Sequence, residues 1–261
     1  MTSVIVQMII KGASWMYAKF EGIVLFVRPY REKDALVKIF TKDFGTRMFF
    51  IKGYQAANHP LKKHLLPLSQ HQYVGRVNDS GFSFLKEGAT LNAFRQLQAD
   101  PFLQAHAAYA SQLIDASIED HQVDLQHYHL LEAVLTKLNQ VEEGRPVTLW
   151  LEINLLNRFG LQVDWLHCQE CGGQAVLCAH HLQADPYRLQ LRKPVLSVIQ
   201  TLSQIQLQQL GEVQVSDQTY ESCQAVMQMI YQEWVGMHLK SASYLQALYR
   251  TAKTWQPSGE D

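Results

Sequence analysis

Residues 20–53 read FEGIVLFVRPYREKDALVKIFTKDFGTRMFFIKG. Apolar, β-branched and aromatic residues fall in three runs, FEGIVLFV (20–27), DALVKIFT (34–41) and TRMFFIKG (46–53), cut apart by Arg28-Pro29-Tyr30 and by Asp43-Phe44-Gly45. Proline fixes its own backbone angle and glycine tolerates a left-handed one, so both separators read as turns and the runs between them as strands. Two more runs follow, HQYVGRV (71–77) and FSFLKEG (82–88), after a longer link from Tyr54 to Ser69 and the turn signal Asn78-Asp79-Ser80-Gly81. Five short strands with no long helix among them have few ways to cover their edges, and the expected solution is a five-stranded OB-like β-barrel over residues 16–92.

Cations punctuate this module. From Met16 to Thr90 there are 12 Lys and Arg against 6 Asp and Glu, and from Leu91 onward 10 against 18, so a net charge of −1 conceals a basic first part and an acidic remainder. Basic excess on one module points to a polyanion partner. The candidates are Arg28, Tyr30, Arg31, Lys33, Lys38, Arg47, Lys52, Lys62 and Lys63. Ammonium and guanidinium groups neutralise phosphates, and flat rings stack on unpaired bases. Tyr30 and Tyr54 lie in turns and are expected at the surface, whereas Phe49 and Phe50 are neighbours in one strand, so one of them faces the core.

Beyond Leu91 the apolar period changes from two to that of a helix. Residues 102–118, behind the breaker Asp100-Pro101, place Leu103, Ala107, Ala110 and Ile114 on one face; residues 127–141 do the same with Leu131, Val134, Leu135 and Leu138. Val147–Phe159 is expected to be a helix closed by Gly160, and further helical patterns cover 193–210, 217–237 and 241–251. The fold class is therefore α+β, with a helical domain over 93–253 and a polar tail over 254–261. Residues 1–15 are expected not to be translated natively, since a purine-rich coding stretch for Lys11-Gly12-Ala13-Ser14 would place the natural start at Met16; the alternative is an ordinary extension that packs as a strand or frays. No apolar run approaches the roughly 20 residues needed to span a bilayer, so no membrane role is expected.

HCQECGGQAVLCAHH, residues 167–181, interrupts the helical half. Cys168 and Cys171 form a C-x2-C pair with two glycines behind it, and Cys178 and His181 form a C-x2-H pair, with His180 an alternative to His181. Three sulfurs and one nitrogen make a closed tetrahedral set for zinc, within an element at about 165–190. Four protein ligands leave no place for a water, so the site is read as structural. A thioredoxin-like role would need the pair to open a helix after a strand, and Gly160 and Gly172-Gly173 argue against that. Three clustered thiols and a fourth, Cys223, in a helical pattern fit a reducing cytoplasm.

With these residues in hand, the stretch 20–53 resembles the N-terminal signature of the RecO family of bacterial DNA-repair and recombination mediators. LEINLLNRFGLQVDWLHCQEC (151–171) resembles the segment leading into that family's zinc element. The likeness extends from Met16 to about Arg250. It implies an N-terminal OB fold, a helical C-terminal domain, binding of single- and double-stranded DNA, annealing of complementary strands, and partnership with RecR and with the tail of single-stranded-DNA-binding protein in the RecF pathway. Arg28, Arg31, Lys33, Arg47 and Lys52 lie in the matching signature, and the three cysteines with His181 match the ligand pairs, although the six-residue spacer between Cys171 and Cys178 is shorter than the common pattern. An acidic tail would need local cations, for which Arg188, Arg192 and Lys193 are candidates. No phosphate-cradling G-x-x-x-x-G-K-[ST] loop and no nucleophile–base motif is present, so the chain is not expected to be an enzyme. The rival readings are a nucleic-acid-processing enzyme with catalytic zinc and a non-catalytic interaction scaffold.

Overall fold

The computed structural model describes residues 6–10, 13–167, 191, 193–211 and 215–255. The five expected runs are all strands: β2 (Ala13–Tyr30), β3 (Asp34–Thr41), β4 (Gly45–Ile51), β5 (Gln70–Asn78) and β6 (Phe84–Asn92), preceded by β1 (Val6–Ile10). They form one antiparallel sheet in the order β4-β3-β2-β5-β6, and β1 pairs with the start of β2. Within the extension, Val6–Ile10 is thus a strand. β2 is long because it serves three ladders, pairing with β1 from Ala13 to Tyr17, with β5 from Trp15 to Ile23 and with β3 from Gly22 to Tyr30. At the changeover the Ile39 side chain packs over Gly22 so closely that a Cβ there would lie 2.5 Å from Ile39 Cγ2.

Alternate residues turn inward and close a core of Phe20, Val24, Val37, Ile39, Phe49, Ile51 and Tyr73. Phe20 sits at its centre, with the rings of Phe44, Phe49 and Tyr73 between 5.7 and 5.8 Å away. Burying each such side chain contributes about 1.5–3 kcal/mol. The Tyr73 hydroxyl donates to the carbonyl of His64 at 2.6 Å, so its polar end is satisfied where the ring is buried.

The closed barrel needs correction. No continuous ladder joins β4 to β6; a single parallel bridge, Phe49 opposite Ser83, pins the two edges, with Phe50 N–H donating to Ser83 O and Ser83 N–H to Met48 O, both at 2.9 Å. The sheet is curved and open, fastened at one point. Register shifts, at Val24/Phe26 in β2 and at Leu85/Glu87 in β6 opposite Val74 and Gly75, disturb the two ladders that would carry the curvature.

Helices α1 (Arg95–Ala99), α2 (Pro101–Ala116) and α3 (Leu125–Leu138) belong to the same compact unit, which runs to Gln140. The Asp100 carboxylate accepts from the N–H groups of Phe102 and Leu103 at 2.7 and 3.0 Å, and Pro101 fills the first helical position, which has no partner for an N–H anyway. The expected stripes are buried in both long helices. α3 reaches the sheet through an edge-to-face contact of Tyr128 with Phe40 at 5.5 Å, and through Gln70, whose amide donates to Glu132 at 2.6 Å. The junction expected at 92/93 is therefore not where the compact units divide, because these helices fold onto the sheet.

The second unit, from Val141 onward, contains α4 (Arg145–Leu155), α5 (Lys193–Gln204), α6 (Asp217–Met229) and α7 (Lys240–Trp255) among the described residues. A 3-10 turn (Leu156–Phe159) ends α4 at Gly160, whose φ of 80° fits the expected glycine cap. Trp150 donates its indole N–H to Ile205 O at 2.9 Å, and Tyr231, in the π-helical turn after α6, donates to Glu152 O at 2.8 Å. Arg145 gathers this unit's polar contacts, pairing with Glu143 at 2.6 Å and Asp217 at 2.7 Å beneath the rings of Tyr220 and Tyr249.

Candidate nucleic-acid interface

Strand register brings part of the predicted set together. Arg28 lies opposite Leu36, and Leu36 opposite Phe50, so all three share one face of the sheet; Tyr30, two residues beyond Arg28, joins that face. The turn after β2 carries Arg31 and Lys33, and it is tied to the chain after β4: Asp34 accepts from Gly53 N–H at 2.8 Å, and Gln55 N–H donates to Lys33 O at 3.0 Å. Lys52 and Tyr54 are thereby held beside that turn. Lys62 follows, its ammonium 5.6 Å from the centre of the Tyr54 ring, which is half-buried rather than fully presented. Arg28, Arg31, Lys33, Lys52, Lys62 and Lys63 are all exposed.

Arg31 has φ of 54°, a left-handed angle that places its guanidinium over the Tyr30 ring at 5.2 Å. Next to it the rings of Tyr30, Phe50 and Phe82 form a triangle with centroids 6.0–6.2 Å apart, and Phe84 meets Phe50 edge-on at 6.1 Å. These rings lie across the point where the sheet edges are pinned. Arg76 stands over Phe84 at 4.9 Å. Phe82, Phe84 and Arg76 are not among the sequence's candidates, because FSFLKEG reads only as a strand; the alternation Phe82-Ser83-Phe84 is the signal that sets both rings on one face.

Two predicted cations are corrected. Lys38 contacts Asp115 at 2.8 Å and Asp120 at 2.9 Å, with only 14% of its side chain exposed. Burial alone pulls its pKa down, but the hydrogen bonds and charges of Asp115 and Asp120 outweigh that and hold it above the ordinary lysine value. Arg47 is 7% exposed at the end of the core, and burial lowers its pKa against the opposing pull of Asp79 and Asp120. Both are withdrawn from the surface because the segment joining α2 to α3 folds over the β3–β4 turn. There Thr46 Oγ1 donates to Asp120 at 2.5 Å and His121 N–H to Thr46 O at 3.2 Å. A count of charges along the chain cannot tell a solvated cation from one already neutralised from within.

Cys168, Cys171, Cys178 and His181, with His180, Arg188 and Arg192, lie outside the described residues. Among the described residues no group of three or more metal-ligating side chains is present. Lys193 opens α5. Among the described residues, no helix is long and apolar enough to cross a membrane.

Exposed cations set among rings on a sheet surface have the chemistry of a polyanion-binding protein. Two family models match the chain, Recombination protein O N terminal over residues 16–94 and Recombination protein O C terminal over residues 98–243. A DNA repair protein RecO of Enterococcus faecalis is 34% identical over 247 residues, covering 90% of this chain and 93% of its own. Proteins of the same name from Lactococcus lactis and Pediococcus pentosaceus are 32% and 30% identical, covering 88% and 92% of this chain and 96% and 97% of theirs. The chain belongs to the RecO family. The first family model ends at residue 94 and the second begins at 98, both within the compact unit that continues to Gln140.

Proposed function

We propose that the protein binds DNA through the cationic end of its sheet and serves recombinational repair by bringing complementary strands together. The observation that carries this reading is the group of six exposed cations around the β2–β3 turn and the chain after β4. The relatives' shared name, DNA repair protein RecO, supports it. Two DNA strands repel through their phosphates, and a protein that neutralises several phosphates releases counterions and lowers the barrier to pairing. No covalent step is required. In the same reading the protein helps to load recombinase on strands coated by single-stranded-DNA-binding protein, together with RecR, and Lys193 is one cation available to an acidic protein tail.

The donor set Cys168, Cys171, Cys178 and His181 fits structural zinc by its chemistry, three thiolates and an imidazole, and a reducing cytoplasm would keep those thiols available. When bound, zinc would supply a cross-link within the second unit.

Titration of labelled single-stranded and duplex oligonucleotides over a salt series tests the proposal. Affinity should fall steeply with salt, and Arg28→Glu with Arg31→Glu should weaken binding to all sequences alike, reducing the slope of log K against log salt by roughly 0.7–0.9 for each phosphate no longer neutralised. Weak binding indifferent to salt would sink the proposal and favour a protein scaffold.

A further inference from the structure

From the aromatic cluster at the pinned seam of the sheet we infer a selectivity element: Phe82 and Phe84, backed by Phe50 and Tyr30, stack on the exposed bases of a single strand and so separate single strands from duplex. This rests on the DNA-binding reading above and adds to it the ligand's strand state. Phe82 and Phe84 are each 38% exposed, side by side on one short stretch, whereas large apolar rings of folded domains are ordinarily buried or scattered singly. They do not lie loose. Phe82 is near-parallel to Phe50, with 24° between ring planes, and Phe84 is held edge-on to the same ring, so the cluster is ordered before any ligand arrives. Ser83, between the two, makes the bridge to Phe49 that fixes both rings at the seam.

The surroundings identify the occupant. A purely apolar partner would gain nothing from guanidinium groups, yet Arg76 stands over Phe84 and Arg31 over Tyr30, at 4.9 and 5.2 Å. A ligand that matches must carry anionic charge beside flat apolar faces. Single-stranded DNA does so along its length, while in a duplex the base faces are already stacked on one another and only phosphates remain to be met. The cations then serve both forms of DNA, and the rings serve one.

The test compares three probes, each across the same salt series: an oligothymidine, an abasic oligonucleotide of the same length, and a duplex. The intact protein should bind the oligothymidine at least about 5-fold more tightly than the abasic strand, the lower end of what one stacked base contributes. Phe82→Leu with Phe84→Leu keeps apolar volume but removes the flat faces; it should erase most of that difference while leaving abasic binding, duplex binding and the salt slope unchanged. Should the double variant fail to fold, Phe82→Leu alone carries the test with a smaller loss. Equal affinity of the intact protein for oligothymidine and abasic strand, or a Leu variant that loses nothing on any probe, would overturn the inference and leave this surface to a protein partner. Salt-indifferent binding of the intact protein to all three probes would instead defeat the DNA-binding proposal itself.

Discussion

His71 is buried at 1% exposure, and its hydrogen bond to Ser69 fixes the tautomer of the neutral ring. Ser69 gives its hydroxyl hydrogen to Leu66 O, so its oxygen must accept from His71 Nε2–H, 2.7 Å away, and His71 Nδ1 is left as a buried acceptor without a hydrogen-bond partner. Burial, and then the neighbouring His64, push the imidazole pKa down from 6.5 to about 4. Between those values the unfolded chain binds a proton that the folded chain refuses. Stability from this group is therefore complete above about pH 6.5 and falls as pH drops toward 4, by about 2–3 kcal/mol near pH 4.5. Urea midpoints near pH 7 and near pH 4.5 should differ by that much less in His71→Gln than in the parent chain; an identical acid sensitivity would refute the assignment. Nothing in HQYVGRV announces this, because a histidine at an inward strand position looks the same on paper whether it is neutral or charged. Phe49 and Phe50 illustrate the same limit: alternation required that one face inward, and the pairing with Ser83 decides that Phe49 does.

At the scale of elements, strand pairing depends on a few glycines more than on propensity. Gly45 has φ of 68°, and a Cβ there would lie 2.0 Å from the carbonyl oxygen of Gln122. Gly45→Ala should destabilise the first unit by about 2–4 kcal/mol, through left-handed strain and the displaced α2–α3 segment together. A thermal or urea midpoint checks this; a loss below about 1 kcal/mol would mean that the segment moves aside freely. The strands β2 to β6 were legible because Pro29, Gly45 and Asn78-Asp79-Ser80-Gly81 interrupt β-branched runs. The helices α2 to α4 were legible from Asp100-Pro101, from the apolar stripes and from Gly160. Edge closure was not, since hydrogen bonding between β4 and the start of β6 depends on curvature that local sequence does not encode. The five-residue α1 was also missed, being too short to display a period.

For the molecule as a whole, the division of charge marks the first module as the basic one, but does not show how many of its cations stay free. Asp115 and Asp120 draw Lys38 inward, so part of the acidic remainder neutralises the basic module from within its own unit. The proposed zinc ligands belong to the other unit. Metal analysis of protein prepared under reducing conditions should find about one zinc per chain; Cys168→Ser with Cys171→Ser should abolish it and lower the thermal midpoint, while leaving oligonucleotide affinity intact. A purified protein without zinc, or one whose DNA affinity drops with the metal, would remove the structural-clasp reading.

Arg31 holds a backbone angle at which glycine would be the more comfortable residue. Exchange for glycine would relieve that local tension and at once delete the guanidinium over Tyr30. On the proposed DNA-binding reading, heat resistance and ligand capture favour different residues at this one turn, and a laboratory screen that rewards thermostability alone would drift toward the weaker binder.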